Sequence, residues 1–316
     1  MGKIAFLFPG QGSQAVGMGQ DLLETETSSQ DIFQRADSRL GYSLSNIMLE
    51  GPEETLRRTE NTQPALVTMS TAVLRLLEEE GIRPDYVAGH SLGEYSALVA
   101  AGAMSFEDAV YAVHNRGLFM EEAVPFGEGA MAAILGLEQA VLEDICTAAS
   151  VESGQTAELA NLNCPGQIVI SGSAEGVELA GAKAKEAGAK RVIPLQVSGP
   201  FHSSLMKPAA AKLEGVLDEL EISNASIPII ANVSARAVQD STEIRQNLIE
   251  QVYSPVRWEE TIRTLLAQGV DTFVEVGSGN VLTGLVRKVE RRAKAVAVSN
   301  REGIAKVKQI TEGADE

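Results

Sequence analysis

Apolar runs and helical stripes alternate along this chain, and the alternation predicts an α/β fold built on a mostly parallel sheet. Lys3–Phe8 contains the continuous apolar run Ile4–Phe8, the pattern of a strand covered on both faces. Asp85–Ala88 reads as a second short strand leading into a helix over Glu94–Ala101. Pro64–Glu80 is the clearest helix, with Pro64 suited to its first turn and Gly81 and Pro84 following its end. Its residues Ala65, Leu66, Met69, Ala72, Val73, Leu76 and Leu77 share one face, which is a core-packing pattern. Asp31–Leu40 and Phe106–Glu122 also read as helices, the latter opened by a Ser105/Asp108 capping box. Further strands are expected at Ile227–Val233, Thr272–Val276 and Ala295–Ser299, with a helix over Val281–Ala293.

One stretch breaks this rhythm. Met131–Gly136, Ala157–Asn163, Gln167–Gly172 and Arg191–Val197 read as strands, and Glu138–Ala149 and Glu175–Ala187 as helices. The order βαββαβ, with a Pro165-Gly166 turn between the middle strands, is that of a ferredoxin-like unit. Glycine-rich Pro125-Phe126-Gly127-Glu128-Gly129 precedes it and Ser198-Gly199-Pro200 follows. The expected organisation is therefore a large subdomain from residues 1–127 and 199–316 with residues 128–198 inserted, and a ligand cleft between the two.

Composition narrows the function classes. With 316 residues and 44% hydrophobic content, the chain can bury a large core. No apolar run nears the ~20 residues needed to cross a bilayer, and the apolar start Lys3–Pro9 is too short for a secretion signal. A monomeric cytoplasmic enzyme is expected. The two cysteines, Cys146 and Cys164, cannot form a metal cage, and no disulfide is expected. A net charge of −17 argues against nucleic acid or an anionic membrane as the main partner. An acidic partner would need a local basic patch. The densest is Arg287, Lys288, Arg291, Arg292 and Lys294, the first four sharing one face of the expected helix, and Lys190-Arg191 is a smaller candidate. A solvated face beside Glu290 is the alternative reading of the first cluster.

The chemistry concentrates in Gly89-His90-Ser91-Leu92-Gly93, a G-x-S-x-G element between strand and helix. Its glycines allow a sharp elbow that exposes Ser91 at a helix N-terminus, where a developing anion is stabilised. A serine nucleophile needs a base, and only three histidines exist. His90 adjoins Ser91 and should point away from the reaction centre, while His114 lies within a helix. By elimination the base is His202, in the loop Ser198–Ser204. Arg116 falls on the edge of the apolar stripe of its helix, where it either snorkels along the core or presents its fork to a carboxylate. Periodicity favours the first. Gly10-x-Gly12-x-x-Ala15 matches a dinucleotide fingerprint, but no second strand ending in an acidic residue follows at the required distance. These glycines better serve to bring the Gln11 N–H near a ligand, where with the Leu92 N–H it could form an oxyanion hole.

Seven segments together resemble malonyl-CoA:acyl carrier protein transacylases, and the resemblance spans essentially the whole chain. They are Phe8–Gln14, Asn61–Ala65, Gly89–Tyr95, Arg116-Gly117, Asn163–Gln167, Gly199–Ser203 and Ser254–Trp258. The resemblance implies an α/β-hydrolase-like large subdomain carrying the ferredoxin-like insert. It further implies a malonyl-ester intermediate on Ser91 with His202 as base, Gln11 and Leu92 as oxyanion donors, and Arg116 as partner of the malonyl carboxylate. The Gln251 carbonyl would orient His202 in place of an Asp, and His90, Met120, Phe201 and Gln63 would line the pocket. Leu92 and Phe201 match members that use malonyl groups. Malonyl-CoA and an acyl carrier protein are the implied substrate and partner, with no cofactor held by the enzyme. A polyketide-pathway acyltransferase and a serine hydrolase on the same scaffold are the alternatives.

Overall fold

Two sheets organise the computed structural model, which describes residues 2–125 and 127–312. Phe126, in the expected linker, lies outside the described residues, as do Met1 and residues 313–316. The strands are β1 (Lys3–Phe8), β2 (Tyr86–Gly89), β3 (Gly129–Leu135), β4 (Ala157–Cys164), β5 (Gln167–Ser173), β6 (Arg191–Pro194), β7 (Ile229–Ile230), β8 (Ala237–Val238), β9 (Val270–Val276) and β10 (Lys294–Val298). Six of them form a sheet in the order β10-β9-β1-β2-β7-β8, parallel throughout except for the β7–β8 pair. The other four form an antiparallel sheet in the order β4-β5-β3-β6.

Central strand β1 shows why the first sheet needs helices on both faces. Phe6 and Phe8 point into the cluster that contains the helices Thr59–Glu79 and Phe106–Glu122. Ala5 and Leu7 point the other way, against Trp258, Ile262 and Leu285. All four are fully buried, and each large apolar side chain removed from water contributes about 1.5–3 kcal/mol. The antiparallel sheet packs Ile134, Ile168 and Ile170 against Leu142, Cys146 and Ala180 of its own two helices. Its opposite face sends Met131, Ala133 and Val169 into the main core, so the two sheets share one apolar body.

Several element limits differ from the sequence reading. The helix containing Pro64 starts at Thr59, which puts the proline inside the helix. Proline removes the bond that would reach the Glu60 carbonyl, and His114 Nδ1 takes its place at 2.9 Å. The strand expected over Ile227–Val233 shrinks to Ile229–Ile230, because Asn232 leaves the ladder and bonds the β2–helix turn instead. Strand β6 ends at Pro194, which has no N–H to donate. The helix expected to reach Ala293 stops at Val289, and the Arg292 N–H closes a turn on Glu290 Oε1 at 2.9 Å. Arg291 and Arg292 therefore do not share a helical face with Arg287 and Lys288. Five helices separate β1 from β2, so the Gly10–Ala15 loop does not open a dinucleotide-binding βαβ unit. Among the described residues, no helix is long and apolar enough to cross a membrane.

Candidate active site

The turn after β2 is fixed by steric exclusion. A Cβ on Gly89 would lie 1.9 Å from the Gly93 carbonyl carbon, and one on Gly93 would lie 2.2 Å from the Phe8 carbonyl oxygen. No side chain fits at either place. Between them Ser91 takes φ 53°, a left-handed conformation costing about 1–3 kcal/mol unless the surroundings hold it. Asn232 holds it from both sides. Its Oδ1 accepts the Ser91 N–H at 2.8 Å, and its Nδ2 donates to the Gly89 carbonyl at 2.7 Å. The helix Gly93–Ala100 begins immediately afterwards.

His202 faces this serine from the loop after β6. Its Nε2 lies 2.8 Å from Ser91 Oγ, and its Nδ1 lies 2.8 Å from the Gln251 carbonyl oxygen. A carbonyl can only accept, so Nδ1 carries the proton and the Nε2 lone pair points at the serine hydroxyl. Burial, followed by the positive charge of Arg116, lowers the His202 pKa to about 3. The imidazole is thus neutral over the working range of an enzyme. The loop is tethered to β4, where the Glu158 carboxylate accepts both the N–H and the hydroxyl of Ser204 at 2.7 Å.

Arg116 is buried, with 1% of its surface exposed, and does not snorkel. One arm of the guanidinium donates to Gln63 Oε1 at 2.8 Å. The other donates to Gln251 Oε1 at 3.0 Å and to Ser91 Oγ at 3.1 Å, while Nε has no acceptor among the described residues. The helix comes this close because Gly117 has no side chain; a Cβ there would lie 2.7 Å from the Thr59 carbonyl. A planar cation held by neutral amides, with an unused donor, is suited to a carboxylate guest. Beneath it, Gln251 Nε2 donates to the Ser91 carbonyl at 2.9 Å and to Glu94 Oε2 at 2.7 Å. Burial raises the Glu94 carboxyl pKa to about 7, against the opposing pull of Gln251, Asn232 and Arg116.

These groups line one cleft of about 400 Å³ between the two sheets. Gln11, Gln63, His90, Met120, Phe201 and His202 contribute to its wall, and Asn161 and Leu195–Val197 enter from the antiparallel side. His90 reaches Asn163 Oδ1 with Nε2 at 2.9 Å and packs its ring against Trp258. Neither the Gln11 nor the Leu92 main-chain N–H is taken up by another group of the described residues.

A serine–histidine pair beside a buried arginine is acyl-transfer geometry, and comparison with known proteins supports that class. The family model described as the acyl transferase domain matches residues 5–308. A malonyl CoA-acyl carrier protein transacylase from Bacillus subtilis is 60% identical over 304 residues, covering 96% of either chain. The chain belongs to this transacylase family. An acyl carrier protein S-malonyltransferase from Vibrio cholerae superposes with a TM-score of 0.94 at 46% identity, over 96% of this chain and 99% of that one. A malonyl-transacylase solved in complex with its type II PKS acyl-carrier protein gives 0.94 at 43% identity, over 98% and 99%.

Sequence reasoning on this acyltransferase gave no role to Asn232, Glu94, Glu158 or Asn163, although Glu94 and Asn163 lie in segments that carry the family resemblance. The signals were faint. Asn232 is a polar residue inside the apolar run Ile229–Val233, and Glu94 is a carboxylate in an otherwise apolar helix, 4% exposed. The basic candidates Arg287, Lys288, Lys190 and Arg191 are all exposed and lie outside the cleft wall. They are closer together than their numbers suggest. Lys288 Nζ donates to Gln167 Oε1 at 2.8 Å, Gln167 pairs with Leu135, and Leu135 pairs with Arg191 across the antiparallel sheet.

Proposed function

We propose that the chain transfers a malonyl group from malonyl-CoA to the phosphopantetheine thiol of an acyl carrier protein through a malonyl ester on Ser91. The observation that carries this reading is the Arg116 fork 3.1 Å from Ser91 Oγ, because it places a carboxylate reader beside the nucleophile. His202 Nε2 takes the hydroxyl proton as Ser91 Oγ attacks the thioester carbonyl. The Gln11 and Leu92 amides hold the oxyanion, and the protonated imidazole, oriented by the Gln251 carbonyl, returns its proton to the departing CoA sulfur. The carrier thiol then gives its proton to His202 and attacks the ester, and Ser91 recovers the proton on release. Every step uses side-chain and main-chain groups of this chain. His90, Met120, Phe201 and Gln63 shape the pocket. We read residues 1–127 and 199–316 as an α/β-hydrolase-like catalytic unit and residues 128–198 as a ferredoxin-like insert, on the strength of the two strand orders. Extender supply for fatty acid synthesis is the favoured setting.

The test is partition of the malonyl-enzyme between thiol and water. With a holo carrier protein present, malonyl-carrier should accumulate. Without a thiol, the ester should persist over many turnover times. Fast release of free malonate would make the protein a hydrolase instead.

Carrier docking is assigned to the surface formed by Arg287, Lys288, Lys190 and Arg191, since acidic carriers must find positive charge on a chain of net charge −17. Reversal of Arg287 and Lys288 to glutamate should raise KM for the carrier by roughly an order of magnitude and flatten its salt dependence. Acylation by malonyl-CoA should change far less. An unaltered carrier KM moves the docking site elsewhere.

A further inference from the structure

The catalytic groups hang from a buried polar layer that the reaction scheme leaves unexplained. Glu94 sits at its centre. Its Oε2 accepts Gln251 Nε2 at 2.7 Å and the Asn232 N–H at 3.3 Å. Each of those two partners reaches further. Gln251 contacts Arg116 through Oε1, the Ser91 carbonyl through Nε2, and His202 through its main-chain carbonyl. Asn232 holds both the Ser91 N–H and the Gly89 carbonyl. One carboxyl group therefore lies a single hydrogen bond away from the residues that set the nucleophile, the base and the guanidinium.

The Gln251 amide fits in one orientation only. Rotated by half a turn, its NH₂ would face the Arg116 donors and its oxygen would face the Ser91 carbonyl. Two N–H bonds leave Nε2, one to the Ser91 carbonyl and one to Glu94, and among the described residues Nε2 makes no third hydrogen bond. Without Glu94, a buried donor would be stranded, and the side chain would move to satisfy it. Arg116 would then lose the partner that aims one arm of its fork at the cleft.

We propose that Glu94 is a positioning residue for the transfer reaction, acting through Gln251 and Asn232 to hold Ser91, His202 and Arg116 in register. The inference rests on the function proposed above. The readout is CoA release in the first turnover, with malonyl-CoA and with acetyl-CoA as donors. Glu94→Gln keeps an acceptor oxygen and should stay within a few-fold of the parent. Glu94→Leu keeps the volume but removes the acceptor. It should lower malonyl acylation by roughly 10- to 100-fold in kcat, as expected for a sub-ångström to ångström misplacement, and should narrow the preference for malonyl over acetyl. In a Gln251→Leu background, which keeps the main-chain carbonyl, the Glu94→Leu change should add little further loss, because the two act as one unit.

A folded Glu94→Leu enzyme with unaltered kcat overturns the proposal. So does a loss that multiplies in full with that of Gln251→Leu, or a Glu94→Gln enzyme as slow as Glu94→Leu. Where Glu94→Leu does not fold, Glu94→Asp carries the same test: withdrawal of the acceptor should lower kcat about 10-fold with KM little changed, and an unaltered kcat is fatal. Failure to form a malonyl ester in the parent enzyme would count against the proposed function. Normal ester formation with indifferent Glu94 variants would count against this inference alone.

Discussion

Replacement of His202 by alanine should lower malonyl transfer by roughly three to six orders of magnitude, the scale seen where serine and histidine act as a unit. The geometry leaves no substitute. Among the described residues, the only other imidazole lining the cleft, His90, is engaged with Asn163 and Trp258. The measurement is single-turnover CoA release, and a loss under tenfold would remove His202 from the mechanism. The parent enzyme should also carry a pH signature. An ordinary histidine protonates near 6.5, whereas burial holds His202 down at about 3. The base stays neutral as pH falls through 6.5, so the acylation rate should show no step there. Stability follows the same shift. Between about 3 and 6.5 the unfolded chain binds a proton that the folded chain refuses, so stability is lost as pH falls through that window. Glu94 acts in the opposite sense: its pKa is about 7 when folded against 4.5, so its contribution is complete below 4.5 and is lost as pH rises toward 7. The two slopes oppose each other from 4.5 to 6.5, and acid unfolding should steepen only below about 4.5.

Arg116→Ala should cost roughly 1.5–3 kcal/mol in the malonyl reaction, or about 10- to 150-fold in kcat/KM, while acetyl transfer is spared or improved. The reason is charge: a malonyl carboxylate needs a desolvated fork, and an acetyl methyl group does not. Lysine should restore little. Its single ammonium cannot reach Gln63 and Gln251 on opposite sides and still meet a carboxylate. Removal of the guanidinium also leaves both amide oxygens unpaired, so a lowered melting temperature should accompany the kinetic change. Equal losses for malonyl and acetyl would make Arg116 purely structural.

The features legible in the sequence were those with local causes. Gly89 and Gly93 mark the elbow because a Cβ at either would lie 1.9 or 2.2 Å from backbone atoms, so no side chain is tolerated. The Pro165-Gly166 turn, with Gly166 at φ 70°, announces the β4–β5 hairpin. Features set by distant partners were read less well. Proline rules place Pro64 at a helix start, yet His114, 54 residues from Glu60, satisfies the carbonyl that the proline frees. The basic run after Val289 is made of good helix formers, but it lacks the apolar stripe that Leu282, Leu285 and Val286 supply earlier. Periodicity put Arg116 at the edge of its stripe and could not say whether that edge faced solvent or a cleft. Only the family resemblance favoured the carboxylate over snorkelling. Asn232 and Glu94 gave only faint signals, because their partners Ser91 and Gln251 lie 141 and 157 residues away along the chain.

The central claim is that Ser91 carries the malonyl group. Incubation with radiolabelled malonyl-CoA, quenching and peptide mapping tests it directly. Label should appear in the peptide containing Gly89–Gly93 and be absent from Ser91→Ala. Label retained in Ser91→Ala, or found on another residue of the parent enzyme, would contradict it.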